Sequence, residues 1–543
     1  MNRTQRIRLS VLLMLLVVCL TGCTSGTPEE PTQSVDLLRP LVYPASDVQT
    51  LAERGLTAEA FAARGAGAAS DTGNKHADGT GLVISPDFSA TVNEQPLPVY
   101  AAVVYVADGN QGALHSFAAI DASLENGSPL CLELTVDESI PLQTARVFAH
   151  TETELSVEQQ RIQLTVPTYG NYTVMINESQ LHALTLLVRP YVDETAEIAA
   201  YQAQYGAERV TVMEPGLHRI KHLTMESDSV LYLKAGAILL PEHTMDIASD
   251  ADNANQSEAG AIESNALGLN RYPVINGYNG SRMVIAGRGT VDMTQLDWHE
   301  RRGLVFSLCS QVTGDGVMLI NPCEWALITY RCQEVAVTNC AVLGYRTNSD
   351  AFAICNSENV TVTDCFARSG DDLFEVKALG GVETAVSRDI VFQRCQAWGS
   401  KARCFGITGE VERDISNVLF ADSLVICRDA VWDLNRLGSL VVLREVGTGH
   451  ISNVTFRNLT IDRDFGRAIN VGVYTDGLSE GTMESIRFEQ ITCSSDEKLQ
   501  MRQHDGQPFE VTFNRVTVGI TEITAENVGE YVRQDAENLL RLS

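Results

Sequence analysis

A short alternating, β-branched run recurs along the later part of this chain, and no amphipathic helix separates its copies. The series opens with Val284-Ile285-Ala286-Gly287-Arg288-Gly289-Thr290-Val291-Asp292. It continues with Val335 to Cys340, Val360 to Cys365, Ile390 to Cys395, Val418 to Phe420, Val454 to Leu459 and Ile486 to Ile491, mostly 25 to 36 residues apart. A period in this range marks a solenoid, whose units bury their apolar sides only against their neighbours. Strands without helical crossovers make a β-helix rather than a leucine-rich horseshoe. Asn, Asp or Ser precedes most of the runs. Cys340, Cys365 and Cys395 each close one, which predicts an internal ladder of small apolar side chains. Disulfides are the alternative that an exterior compartment would permit.

Ahead of the repeats the chain changes character three times. Arg3, Arg6 and Arg8 precede the apolar run Val11 to Leu20 and then Thr21-Gly22-Cys23. These are the charged, apolar and small-residue zones of a secretory signal. Its ending resembles the bacterial lipobox, so the expectation is a signal peptide over 1–22, lipidation at Cys23 and an extracytoplasmic, membrane-anchored lipoprotein. The apolar run is too short to span a bilayer as a helix. Residues 23–80 read as a tether followed by partly helical sequence. Residues 81–192 hold short strand-like segments punctuated by Pro, Gly, Asn and Asp, which predicts a β-sandwich. The β-helix is expected over 195–543, with 244–282 as a long surface loop. The fold class is therefore all-β: a solenoid preceded by a small sandwich.

The net charge is −29, from 69 acidic and 40 basic residues. Nucleic-acid binding needs Lys and Arg to replace counterions, so that class is excluded. A strongly anionic polymer is disfavoured for the same reason. Excluding Cys19 and Cys23, 11 of the 13 Cys remain, an odd number without zinc-type CxxC spacing. His218 and His222 lack a nearby carboxylate cluster, and neither a metal nor another cofactor is expected.

Chemistry concentrates in Asn348-Ser349-Asp350-Ala351 and Ser369-Gly370-Asp371-Asp372, one recurrence apart. Coils stack about 4.8 Å apart, so Asp350 and Asp371 are expected at corresponding positions, with Asp372 turned into the same groove. Carboxylates this close cannot all ionise freely, and one becomes a proton donor at neutral pH. A raised acid beside an ionised base is what glycoside hydrolysis requires. Glu375 and Lys377, at alternate positions beyond the pair, either line the groove or form an exposed pair.

Several segments in order resemble the polygalacturonase family of glycoside hydrolases and, more distantly, the dextranase and isopullulanase family. They are Pro215-Gly216-Leu217-His218, Leu231 to Ala237, Gly287-Arg288-Gly289-Thr290-Val291-Asp292, Arg302 to Phe306, Asn321-Pro322-Cys323-Glu324-Trp325, and the two acidic motifs, within about 205–465. The resemblance implies a right-handed parallel β-helix and inverting hydrolysis. Asp371 would be the general acid, Asp350 and Asp372 would hold and activate water, and Asn348 would orient the site. Two motifs depart. Phe405 stands where the family has His, and Trp432-Asp433-Leu434 meets its Arg-Ile-Lys, which grips a uronate. Tyr345, Lys377, Arg403, Phe405 and Trp432 are the candidate substrate contacts, and Tyr345 and Trp432 are equally readable as core. The expected partner is an α-linked polysaccharide or oligosaccharide, neutral first and pectic second. The rivals are a polysaccharide lyase and a non-catalytic glycan-binding surface protein.

Overall fold

Val335, Val360, Ile390, Val418, Val454 and Ile486, picked out by the repeat, are successive register partners in one parallel sheet. Each recurrence is therefore one coil. The computed structural model describes residues 37–65, 80–107, 110–124, 127–243, 273–380, 384–428, 436–474, 480–494, 499–503, 509–535 and 539–543. The signal segment, Cys23, residues 244–272 and Trp432 lie outside the described residues. The coils form a right-handed parallel β-helix, whose strands fall into a 20-stranded and an 11-stranded sheet.

The residue before each buried Val or Ile explains the sequence pattern. Glu334, Asn359, Asp389, Asn417, Asn453 and Ser485 all have φ between 54° and 58°. Asn and Asp tolerate this left-handed conformation better than most residues. Side chains of this column also bond from coil to coil: Asn417 donates to Asp389 and Asn453 to Asn417, at 2.9 and 2.8 Å.

Inside the coil, like residues stack on like. Phe352, Phe374 and Phe405 lie face to face at 5.0 and 4.8 Å between ring centroids. Phe420, Phe456 and Phe488 continue a parallel column at 4.7 Å. Cys340, Cys365 and Cys395 are buried free thiols, as expected of a ladder. Phe405 is fully buried in this core. It is not a sugar contact, because the alternation of its strand Phe405–Val411 turns it inward opposite Phe374.

The sandwich lies along one side of the β-helix. Its outer sheet pairs Gln95–Leu97, Phe88–Val92, Leu130–Val136, Arg161–Val166 and Leu155–Glu158 antiparallel. Its inner sheet packs Tyr100, Phe117 and Leu187 onto Ile320, Leu343, Phe366 and Trp398 of the coils. Part of the segment expected to be tether joins this body. Leu38–Pro40 pairs antiparallel with Gln111–Ala122, and Phe61 is fully buried beside Val103 and Tyr105. Tyr345 enters the same cluster and is 2 % exposed. It is a joint between coil and sandwich, not a stacking platform for sugar. Part of the expected loop 244–282 is also coil, since Ile275–Tyr278 and Ser281–Gly287 pair in the two sheets.

Phe405→Ala removes one disc of a closed stack. It should cost about 3–5 kcal/mol of stability, read as a lowered urea midpoint. An unchanged midpoint would return Phe405 to the binding surface.

Candidate active site

The acidic motifs sit where the chain turns into successive strands of the 11-stranded sheet. Asp350 lies two residues before Phe352–Cys355, and Asp372 two residues before Phe374–Ala378. Phe352 pairs with Phe374, and the Ala351 amide donates to the Asp372 carbonyl at 2.8 Å. Asp350 therefore corresponds to Asp372, not to Asp371 as expected. The same column holds Arg302 and Trp325 on earlier coils and Arg403 on the next.

Close approach of the two turns depends on Gly370. A Cβ there would lie 2.1 Å from the Arg346 carbonyl oxygen and 2.7 Å from that of Tyr345. The Gly370 amide instead donates to Ser349 Oγ at 3.1 Å, and the Ser349 and Ser369 hydroxyls meet at 2.6 Å. Arg346, also buried, is spent on the Thr294 carbonyl at 2.8 Å.

The three Asp carboxyls have different environments. Asp350 and Asp372 are buried, at 3 % and 2 % exposure, and only Asp371 is half-buried. Carboxylate oxygens of Asp350, Asp372 and Glu375 lie within 4.8 Å of one another. Lys377 Nζ stands in this group, 3.1 Å from both Asp350 Oδ2 and Glu375 Oε2 and 3.5 Å from Glu410. Its other neighbour is the Trp325 ring, 4.1 Å to the centroid. Asp372 takes the Arg403 amide at 2.9 Å and its guanidinium at 3.0 Å. Arg403 reaches on to Glu445 at 3.1 Å. Asp371 accepts the Asn348 amide at 2.9 Å and the Asp372 amide at 3.0 Å.

These surroundings separate the titrations. Burial, then the negative Asp350 and Asp372, pushes Asp371 up to about 8, against the Asn348 amide and Arg403. Burial lifts Asp350 to about 6, with Lys377 pulling it down and Asp372 pushing it up. Glu375 is driven well above the carboxylate range by burial, so it keeps its proton. That proton is donated toward Asp350. Burial works against the Lys377 charge, but the acids around it outweigh that and Lys377 stays protonated.

A cation from solution would compete with that ammonium for the same oxygens, so the trio is a poor metal site. His243, Asp297 and Glu300 also come within 4.8 Å. There, Glu300 Oε2 already takes the Asp297 amide at 2.7 Å and His243 Nδ1 at 2.9 Å.

Of the residues singled out in the sequence, Asn348, Asp350, Asp371, Asp372, Lys377 and Arg403 converge. Glu375 and Lys377 form a buried pair, not an exposed one. Tyr345 and Phe405 lie elsewhere, and Trp432 is outside the described residues. Trp325, Glu410 and Glu445 were missed. Trp325 was findable, because it closes the motif Asn321-Pro322-Cys323-Glu324-Trp325 that the sequence had already marked. Trp298 and His299 approach Thr347 and Asn348 from the connection before Leu304–Ser307, which carries no repeat signal.

No family model matches this chain, and no curated protein does. Among solved structures, Dex49A from Penicillium minioluteum superposes with a TM-score of 0.61 at 11% identity, covering 88% of this chain and 97% of that one. A polygalacturonase from Erwinia carotovora ssp. carotovora gives 0.45 at 14% identity, covering 64% and 93%. At these identities the first likeness shows a shared fold.

Lys377→Met leaves Asp350 and Glu375 buried without their cation. It should destabilise the protein by about 3–5 kcal/mol. Adding Asp350→Asn should recover part of that loss, because Asp350 is the ionised acid that Lys377 pairs with directly. Additive losses in thermal melts would break the assigned network.

Proposed function

We propose that the protein hydrolyses the glycosidic bond of an α-linked polysaccharide or oligosaccharide with inversion at the anomeric carbon. The observation that carries this reading is the separation of Asp371 from Asp350. At pH 7 Asp371, held near 8, carries a proton at the only half-exposed carboxyl of the three, while Asp350, near 6, is mostly ionised. Asp371 gives its proton to the glycosidic oxygen as the bond to the anomeric carbon breaks. A water held by Asp350 and Asp372 adds its oxygen to that carbon from the opposite face, and Asp350 takes the water's proton.

A neutral sugar is the preferred substrate. Lys377 and Arg403, two cations of the cluster, are each paired with two acids, Asp350 and Glu410 for one and Asp372 and Glu445 for the other. Binding a uronate through either would strip a partner from a buried acid. Pectic glycans come second. We also propose that the mature protein begins at a lipidated Cys23, which the order of charged, apolar and small residues supports. Labelled palmitate should enter the wild type and not Cys23→Ala, and equal labelling would remove the anchor.

The test of the activity is a panel of neutral α-glucans and polygalacturonate, scored for new reducing ends, with product anomers followed by NMR. Turnover should rise with pH through about 6 as Asp350 ionises and fall through about 8 as Asp371 does. Asp371→Asn should lose about 10²–10⁴-fold in rate. The same substitution has a stability signature. Asp371 is protonated in the folded chain and ionised in the unfolded one between its usual pKa and about 8, so wild-type stability falls across that window. The variant should lack that fall. Retained anomeric configuration, or ultraviolet-absorbing unsaturated products, would overturn the reading, the latter in favour of a lyase.

A further inference from the structure

The turn that presents Asn348 to Asp371 is gripped from outside its own coil. Asn348 has φ +60° and gives its amide to Asp371 Oδ2 at 2.9 Å. Its side-chain Oδ1 lies 2.8 Å from His299 Nε2, so that ring nitrogen donates. His299 also has φ +60°, and its amide donates to the Cys323 carbonyl at 2.8 Å. Its ring lies 3.7 Å from the Trp298 ring. Trp298 Nε1 donates to the Thr347 carbonyl at 2.8 Å, and Lys401 Nζ to Thr347 Oγ1 at 2.8 Å. Three side chains from other coils thus converge on Thr347–Asn348, and His299 is the one that bonds the Asn348 side chain. Left-handed conformations at non-glycine residues persist where surrounding contacts over-determine them. Here two such residues are bonded to each other.

We propose that His299 is a positioning residue for the proton donor: by holding the Asn348 side chain it keeps the Asn348 amide on Asp371 Oδ2. The inference rests on the hydrolase reading for its catalytic consequence, but the geometric claim stands independently. Trp298 and Lys401 bond Thr347, whereas His299 bonds the Asn348 side chain itself. An amide bonded to a carboxylate favours its ionised form, and the Asn348 amide is among the groups that draw Asp371 down. Without it Asp371 keeps its proton to higher pH and yields it less readily to a leaving oxygen. The charged groups acting on Asp371 are Asp350, Asp372, Arg403 and Lys401, and none is altered by a change at position 299.

The test compares wild type, His299→Phe and His299→Gln by two readouts. The first is activity against pH on whichever glycan the wild type cleaves. In His299→Phe the rate should fall about tenfold, with the alkaline limb moved upward. His299→Gln retains an N–H donor and should restore both. The second readout needs no turnover: 13Cγ-aspartate NMR of the full chain, with the Asp371 signal assigned by its loss in Asp371→Asn. Its midpoint should rise in His299→Phe and return in His299→Gln. An Asp371 midpoint that is the same in all three proteins overturns the proposal. So does a midpoint displaced equally in both variants, because a merely structural role would not distinguish Gln from Phe. A wild type inactive on every glycan would fail the hydrolase reading, and the NMR midpoints would still decide the role of His299.

Discussion

In-register stacking of one coil on the next is the constraint on which the rest of this molecule depends. A coil by itself has no core, and its inward side chains are covered only by equivalent residues above and below. The consequence is columns of one residue type: Phe on Phe, Cys on Cys, and left-handed Asn or Asp beside left-handed Asn or Asp. The same rule acts on the outside of the coil. A column position occupied by Trp325, Asp350, Asp372 and Arg403 puts unlike chemistry at the spacing of adjacent strands, about 4.8 Å. That spacing is what crowds the acids.

Crowding acids in a buried place is costly unless cations and protons are distributed among them. Lys377 and Arg403 supply two positive charges, and the proton retained by Glu375 lowers the negative charge further. The network therefore has two tasks. It makes burial of Asp350 and Asp372 tolerable, and it keeps the half-exposed Asp371 protonated where Asp350 is mostly ionised.

Much of the fold was legible because a solenoid writes its period directly into the sequence. The runs from Val335 to Ile486 identified the coils, and the Asn, Asp and Ser before them mark a backbone need at every turn. Asp350, Asp371 and Asp372 were legible for the same reason, since acids one recurrence apart must meet. The alignment within the turn was not. Asp350 matches Asp372 because each stands two residues before its strand, and strand starts were not readable to the residue. Phe405 was misassigned, and Tyr345 was left open between core and sugar contact, because an aromatic residue near a site has the same appearance whether its strand turns it in or out. Phe405 faces the Phe column, and Tyr345 is taken up by the sandwich.

The amino-acid order alone determined a stacked all-β chain with three acids on neighbouring coils, because repetition and local conformational preference act over short stretches of sequence. Tertiary structure decided which acid keeps its proton, which cations are already engaged, and that Trp298 and His299 reach the turn beside Asp371. Those outcomes depend on burial and on side chains brought in from other coils, and neither follows from spacing along the chain.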